Sequence, residues 1–169
     1  TVNAFEKTVD DIPYNLRDLL QPYVQSLEVL LQPGLSSLTW TSMNIDLFLH
    51  RINSSVVRLQ EVVSRCRDIL ENRIDGNIRV IARTLLFSLS TNETFSLDQF
   101  VSSQEQAIKS STLTINQKSI EIEAAVEDLI CSALSLPLHE SIPPAGAESV
   151  ASIRCRYERL TYSALLTSL

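Results

Sequence analysis

The sequence predicts an all-α protein: an elongated bundle of long antiparallel helices. Only three of its 169 residues are Gly and six are Pro, a composition typical of helices with few tight turns. Apolar residues recur at steps of three and four along most of the chain, which is the spacing of one helix face. No stretch of useful length alternates apolar and polar residues as a strand would.

The first helix is predicted over about residues 14–32, where apolar residues lie on one face. Pro22 lies within it and should kink the helix or make it restart, because proline removes a donor and crowds the preceding turn. Pro33 and Gly34 then end it. Residues 1–12 are predicted to be a short helical or frayed lead-in.

The strongest pattern predicts a second helix over residues 43–87, of about 45 residues and roughly 65 Å. Its apolar residues step alternately by four and three, as in a heptad seam: Ile45, Leu49, Ile52, Val56, Leu59, Val63, Cys66 and Leu70. The next step of three falls on Arg73, and the stripe resumes at Ile74, which is a stutter. We therefore expect Arg73 either to be buried against a carboxylate, where it would fix the packing register, or to face solvent like the other arginines.

A third helix is predicted over residues 97–135, because large apolar residues recur there every seven positions. Ser96 and Gln99 have the spacing of a capping box, in which each side chain bonds the other residue's backbone N–H. The polar run at 110–112 is the weakest part of the pattern, and the alternative is a break into two helices there.

The C-terminal part divides into two pieces. Residues 136–148 contain three prolines and are predicted to be a linker. Residues 149–169 are predicted to form a final amphipathic helix. The expected organisation is thus a helical bundle segment over 1–135, the linker, and the last helix.

A structural corner is predicted between the first and second helices, around the only Trp of the chain. Its residues are Pro33, Gly34, Trp40, Thr41, Ser42, Asn44 and Asp46. Thr41 or Ser42 should cap the second helix, Asp46 should lie in its first turn, and Trp40 should be buried at the hinge. The alternative is a ligand-binding loop, but the segment lacks the glycines of a phosphate cradle.

Three stretches of this sequence resemble the tail of dynein heavy chains, most closely the axonemal outer-arm chains. They are "LQPGLSSLTWTSMNID" (31–46), "DILENRID" (68–75), and the region from "FSLDQFV" to "NQKSIEIEAAVEDLI" (95–130). The resemblance covers roughly residues 14–131.

The resemblance implies a structural and interaction segment that lies before the ATPase ring of a longer chain. Dynein tails bind intermediate and light chains, contact adjacent heavy chains, and attach the motor to docking proteins of the doublet microtubule. The implied location is the cytoplasmic cytoskeleton, in the axoneme of a cilium or flagellum. The alternative is an unrelated helical adaptor, or a bundle that serves as a binding module.

No catalytic, cofactor or metal site is expected in this segment. It contains no GxxxxGK[ST] motif, and neither His50 nor His139 has Cys, Asp or Glu at metal-ligand spacing. Cys66, Cys131 and Cys155 are widely spaced and expected to be reduced thiols. A net charge of −6 disfavours a nucleic-acid partner, and no apolar run is long enough to span a membrane. We expect neither an enzyme nor a small-molecule substrate.

Protein partners are expected instead, and an acidic cluster on the third helix is the candidate docking patch. It comprises Glu121, Glu123, Glu127 and Asp128. Charge complementarity would favour a basic partner there. The alternative is an ordinary solvated helix face.

Overall fold

The computed structural model describes residues 2–31, 42–87 and 96–168. These residues form helices and connecting segments and include no β-strand, so the predicted all-α class is confirmed. The α-helices are α1 (Val2–Asp10), α2 (Arg17–Leu31), α3 (Ser42–Asp68), α4 (Asp75–Arg83), α5 (Leu97–Leu134) and α6 (Ala147–Ser168). A 3₁₀-helix (Tyr14–Leu16) precedes α2, and a π-helix (Ile69–Ile74) joins α3 to α4.

The chain divides into two compact units, each built from separate stretches of sequence. Unit 1 comprises Thr1–Asp68 and Asp128–Ile153, and unit 2 comprises Ile69–Glu127 and Arg154–Leu169. Each unit has its own buried apolar residues.

In unit 1, α1 and α2 pack against α3. Polar groups at these contacts are satisfied by hydrogen bonds between the elements. The Tyr23 hydroxyl donates to the Ser55 carbonyl oxygen at 3.0 Å, and Gln60 Nε2 donates to Thr8 Oγ1 at 3.0 Å. The Arg67 guanidinium bonds the carbonyl oxygen of residue 11 at 2.9 Å. These hydrogen bonds join the N-terminal elements to α3, and no buried side-chain nitrogen or oxygen in the described part of the chain lacks a partner.

The heptad stripe is buried in the middle of the helical run and exposed at its ends. Its buried members are Ile52, Val56, Leu59, Val63, Cys66, Leu70, Ile74 and Ile81. Ile45 and Leu49 before them, and Leu85 after them, are exposed. The periodicity therefore identified the inward face correctly but did not show where its burial stops.

The π-helix occupies the place where the sequence pattern stutters. A π-helix bonds residue i to i+5 and so accommodates one more residue in a turn than an α-helix does. Within it Leu70 and Ile74 are both buried, whereas Arg73 is exposed. The suggested burial of Arg73 against a carboxylate is wrong, because the wider turn brings Ile74 to the inward face in its place.

Helix α5 begins with the predicted capping box. The Ser96 backbone N–H donates to Gln99 Oε1 at 3.2 Å, and the Gln99 backbone N–H donates to Ser96 Oγ at 3.4 Å. The helix continues without interruption through Ser111, so the alternative of a break there is wrong. Ser111 Oγ donates instead to the Leu85 carbonyl oxygen at 2.9 Å, which gives this polar residue a partner just beyond α4.

Helix α2 likewise continues through Pro22, so the predicted restart does not occur. Ser26 Oγ donates to the Pro22 carbonyl oxygen at 2.8 Å and accepts the backbone N–H of His139 at 3.1 Å. The proline-rich segment between α5 and α6 is therefore tied to α2 within unit 1.

We predict that Leu59→Ala lowers the free energy of unfolding by roughly 2–5 kcal/mol, because it removes a fully buried side chain from the α3 stripe. The matched control is Leu47→Ala on the same helix, where the side chain is 55% exposed. Chemical denaturation measures both variants. Equal midpoints for the two would contradict the assigned inward face.

We predict that the buried Cys66 thiol makes the stability of the fold depend on pH. Burial raises the pKa of the Cys66 thiol from 9.0 to about 11, with Arg65 opposing the shift. Because the folded pKa lies above the unfolded value, this contribution to stability is complete below about pH 9 and is lost as the pH rises towards about 11.

Denaturation curves of the wild type and Cys66→Ala across this alkaline range measure the effect. Tyrosines titrate there too, so only the difference between the two proteins reports the thiol. A difference that stays constant with pH would show that the thiol is not desolvated.

Candidate protein-docking surface

The described part of the chain offers no grouping of three His, Cys, Asp or Glu side chains that would hold a metal ion. Both histidines are exposed, and His139 Nδ1 lies 2.7 Å from Ser141 Oγ. Among the described helices, none combines the length and apolar character needed to cross a membrane.

Most of the predicted corner lies outside the described residues. Pro33, Gly34, Trp40 and Thr41 belong to that part, so the burial of the indole and a cap at Thr41 remain predictions. Helix α3 begins at Ser42, with Asn44 in its first turn.

Asp46 is exposed and lies one position beyond the first turn of α3, which contains no acidic residue. Its predicted placement in that turn is wrong by one residue, because the helix begins at Ser42 rather than later. The favourable interaction of a carboxylate with the helix dipole falls off within the first turn. The interaction of Asp46 with the helix dipole is therefore weak, and it contributes little to the stability of the start of α3.

The four carboxylates of the predicted docking patch do not form one face. At 100° per residue, Glu121 and Asp128 lie close together on one side of α5, and Glu123 and Glu127 lie on the other. A partner seated on one side of the helix would meet only two of them. The interpretation of all four as a single patch is therefore wrong.

Glu121 already has local partners. Lys118 Nζ donates to its Oε2 at 2.7 Å, and Gln117 Nε2 donates to its Oε1 at 3.2 Å. The hydrogen bond from Lys118, and after it that from Gln117, lower the pKa of the Glu121 carboxyl. This carboxylate is therefore engaged within α5 rather than offering a free charge.

Glu127 is also engaged, by an arginine of α6. Arg154 Nε donates to Oε1 at 2.7 Å and an Arg154 terminal nitrogen donates to Oε2 at 2.8 Å. This two-point hydrogen bonding lowers the pKa of the Glu127 carboxyl. Both side chains are about half exposed, so solvent weakens the pair, but its two hydrogen bonds link α6 to α5.

A groove of about 710 Å³ runs along α5 and α6 in unit 2. Buried Ile122, Val126 and Tyr157 are among the apolar residues that line it. Ile120 and Tyr162 also line it although they are 60% and 64% exposed. The groove therefore combines an apolar base with apolar side chains that extend into solvent.

Two carboxylates at the groove have no ion-pair partner among the described residues. They are Glu123 on α5 and Glu158 on α6, and both are exposed. Arg154 also lines the groove, but its guanidinium is paired with Glu127. The groove therefore carries a net negative charge from these two unpaired carboxylates.

Sequence reasoning found Glu123 and missed Ile120, Glu158 and Tyr162. The seven-residue period of α5 drew attention to its inward residues, and Ile120 lies off that stripe. The sequence did contain one signal for this surface, because Ile120 is a large apolar residue that lies outside the inward stripe. Glu158 has no signal in the sequence alone, because only the packing of α6 brings it to the groove.

The chain resembles several known dynein chains. Residues 1–48 match the family described as "Dynein heavy chain, N-terminal region 1". The chain is 32% identical over 151 residues to the "Dynein gamma chain, flagellar outer arm" of Chlamydomonas reinhardtii, which covers 89% of this chain. It is 29% identical over 126 residues, or 75% of the chain, to "Dynein axonemal heavy chain 8" of Mus musculus. "Dynein axonemal heavy chain 5" of the mouse is 25% identical over 158 residues, or 88% of the chain.

The chain spans only about 3% of the length of each of these three relatives. The similarity nevertheless extends through α5, well beyond the residues that match the family description. Helix α5, one of the two helices that border the groove, is thus part of the similarity to these much longer proteins.

We predict that Arg154→Gln raises the pKa of the Glu127 carboxyl towards its ordinary value, because the hydrogen bonds and charge of Arg154 lower it. Carboxyl-carbon NMR titration of the folded chain measures the change. Arg156→Gln on the same helix is the matched control, since Arg156 does not bond Glu127. An unchanged Glu127 titration in Arg154→Gln would show that the pair does not form in solution.

Proposed function

We propose that this chain, which belongs to the dynein heavy-chain family, is a structural and protein-binding segment of an axonemal heavy-chain tail. The observation that carries the proposal is the 32% identity to the flagellar outer-arm gamma chain over 89% of this chain. The fold agrees with a mechanical role, since every described element is helical.

The partners that we propose are the other subunits of an axonemal dynein. They are intermediate and light chains, adjacent heavy chains, and docking proteins of the doublet microtubule. The place of action is the axoneme of a cilium or flagellum, in agreement with the flagellar and axonemal names of the relatives. Through these contacts the segment would help to assemble the complex and to anchor the motor.

The physical contribution of the segment is a set of ordered helices that keep binding surfaces at fixed spacing. Helix α5 alone has 38 residues and so spans about 57 Å. Its capping box, the Ser111 bond to the Leu85 carbonyl oxygen and its ion pair with α6 hold it in place, while exposed apolar side chains such as Ile120 remain available to partners. Association buries such side chains, and this is the main favourable term in protein–protein binding.

We further propose that this segment has no catalytic activity and that ATP is hydrolysed elsewhere in the complete heavy chain. The groove in unit 2 lacks the arrangement of a nucleotide site, since neither a glycine-rich loop nor a lysine is among its lining residues. Its uncompensated carboxylates would repel a polyphosphate.

A deletion in the full-length heavy chain tests this proposal. Removal of residues 1–169 should release intermediate chains or neighbouring heavy chains from the purified dynein, while ATP turnover per heavy chain is retained. Sedimentation and quantitative subunit analysis measure the first effect, and phosphate release measures the second.

The control is a full-length chain with Tyr14→Ser, since the Tyr14 side chain is highly exposed in unit 1. It should purify with all its subunits. A deletion that leaves the subunit composition intact and abolishes ATP turnover would reverse the proposal and assign a catalytic contribution to the segment.

A further inference from the structure

We propose that the groove between α5 and α6 in unit 2 binds an amphipathic helix of another dynein subunit, whose apolar stripe is flanked by Lys or Arg. This inference rests on the proposed function and adds to it the binding surface and the chemistry of the partner. Three properties of the groove carry it: its shape, its apolar base and the sign of its unbalanced charge.

The shape suits a helix. Two neighbouring helices border the groove, and a third helix packs on such a pair by inserting side-chain ridges between theirs. Ile122, Val126 and Tyr157 form a buried apolar base, and exposed Ile120 and Tyr162 give an incoming helix additional apolar surface to cover. Recognition of an amphipathic helix by a groove of this kind depends on apolar residues of the partner at steps of three and four.

The negative charge of the groove indicates which residues flank the apolar stripe of the partner helix. Glu123 on one helix and Glu158 on the other are exposed groove residues without an ion-pair partner in the described part of the chain. Arg154 adds no free positive charge, since it is paired with Glu127 in the same groove. A partner with Lys or Arg beside its apolar stripe would meet a carboxylate on both sides of the groove.

Two other occupants fit less well. In a symmetric pairing with a second copy of this chain, Glu123 and Glu158 would face equivalent carboxylates, and like charges oppose such an interface. A small molecule would need polar groups that converge to orient it. Among the described residues, no buried side-chain nitrogen or oxygen lacks a hydrogen-bond partner, so none is held ready for a ligand.

Site-specific crosslinking in the assembled complex tests the proposal. The full-length heavy chain carries Tyr162→p-benzoylphenylalanine, and the purified dynein is irradiated. We expect a crosslink to a different subunit, with mass spectrometry placing it in a helix whose apolar stripe is flanked by basic residues. A crosslink to the same heavy chain, to a second copy of it, or to no polypeptide at all would overturn the proposal.

Charge reversal supplies the second measurement. Glu123→Lys with Glu158→Lys in the same crosslinking chain should lower the crosslink yield by about tenfold or more, since two favourable charge contacts become repulsive. The matched control is Glu105→Lys with Glu61→Lys, which reverses the same number of charges at exposed positions outside the groove. An equal yield in the reversed and control chains would overturn the electrostatic part of the proposal.

A competition experiment identifies the chemistry of the occupant directly. Two synthetic amphipathic helices share one leucine stripe, flanked by Lys in one peptide and by Glu in the other. The Lys peptide should suppress the Tyr162 crosslink at concentrations where the Glu peptide does not. Equal suppression by both peptides, or by neither, would contradict recognition of a basic helix.

The outcomes separate this proposal from the broader one. If deletion of residues 1–169 releases subunits while the Tyr162 probe finds none of them, the tail function stands and the groove is not the binding surface. If the deletion releases nothing, the tail function itself fails.

Discussion

The structure depends on one geometric constraint. The apolar stripe must stay on the buried side of its helical run, although its heptad period does not match the period of a straight α-helix. A strict heptad repeat drifts by about 20° per heptad relative to a straight α-helix. In this chain the correction is local, since the π-helix Ile69–Ile74 takes up one additional residue where the pattern stutters. Leu70 and Ile74, both within it, are buried as a result.

One other feature follows from this π-helix. Arg73 is exposed because Ile74 takes the inward position that a regular α-helix would have given to it. On α5, Lys118 and Gln117 donate hydrogen bonds to Glu121. A charge that looks available in the sequence is therefore used inside unit 2, and the surface open to a partner is defined by what remains unpaired.

The sequence predicted the elements that depend on local chemistry. The Ser96–Gln99 capping box forms as its spacing indicated, and α5 spans Leu97–Leu134 against a predicted 97–135. The inward stripe from Ile52 to Cys66 is also buried as predicted, because each of its residues follows from periodicity alone. In contrast, the π-helix was not predicted, since a stutter is compatible with either a relaxed supercoil or a locally wider turn.

The candidate site was harder to predict because it depends on contacts between residues far apart in the sequence. Glu127 and Glu123 are equally acidic in the sequence, yet one is paired with Arg154 and the other is not. That difference arises only when α6 packs on α5, which also brings Glu158 and Tyr162 to the same groove. A count of acidic residues therefore overstates the charge that a partner meets, and pairing must be known before complementarity can be argued.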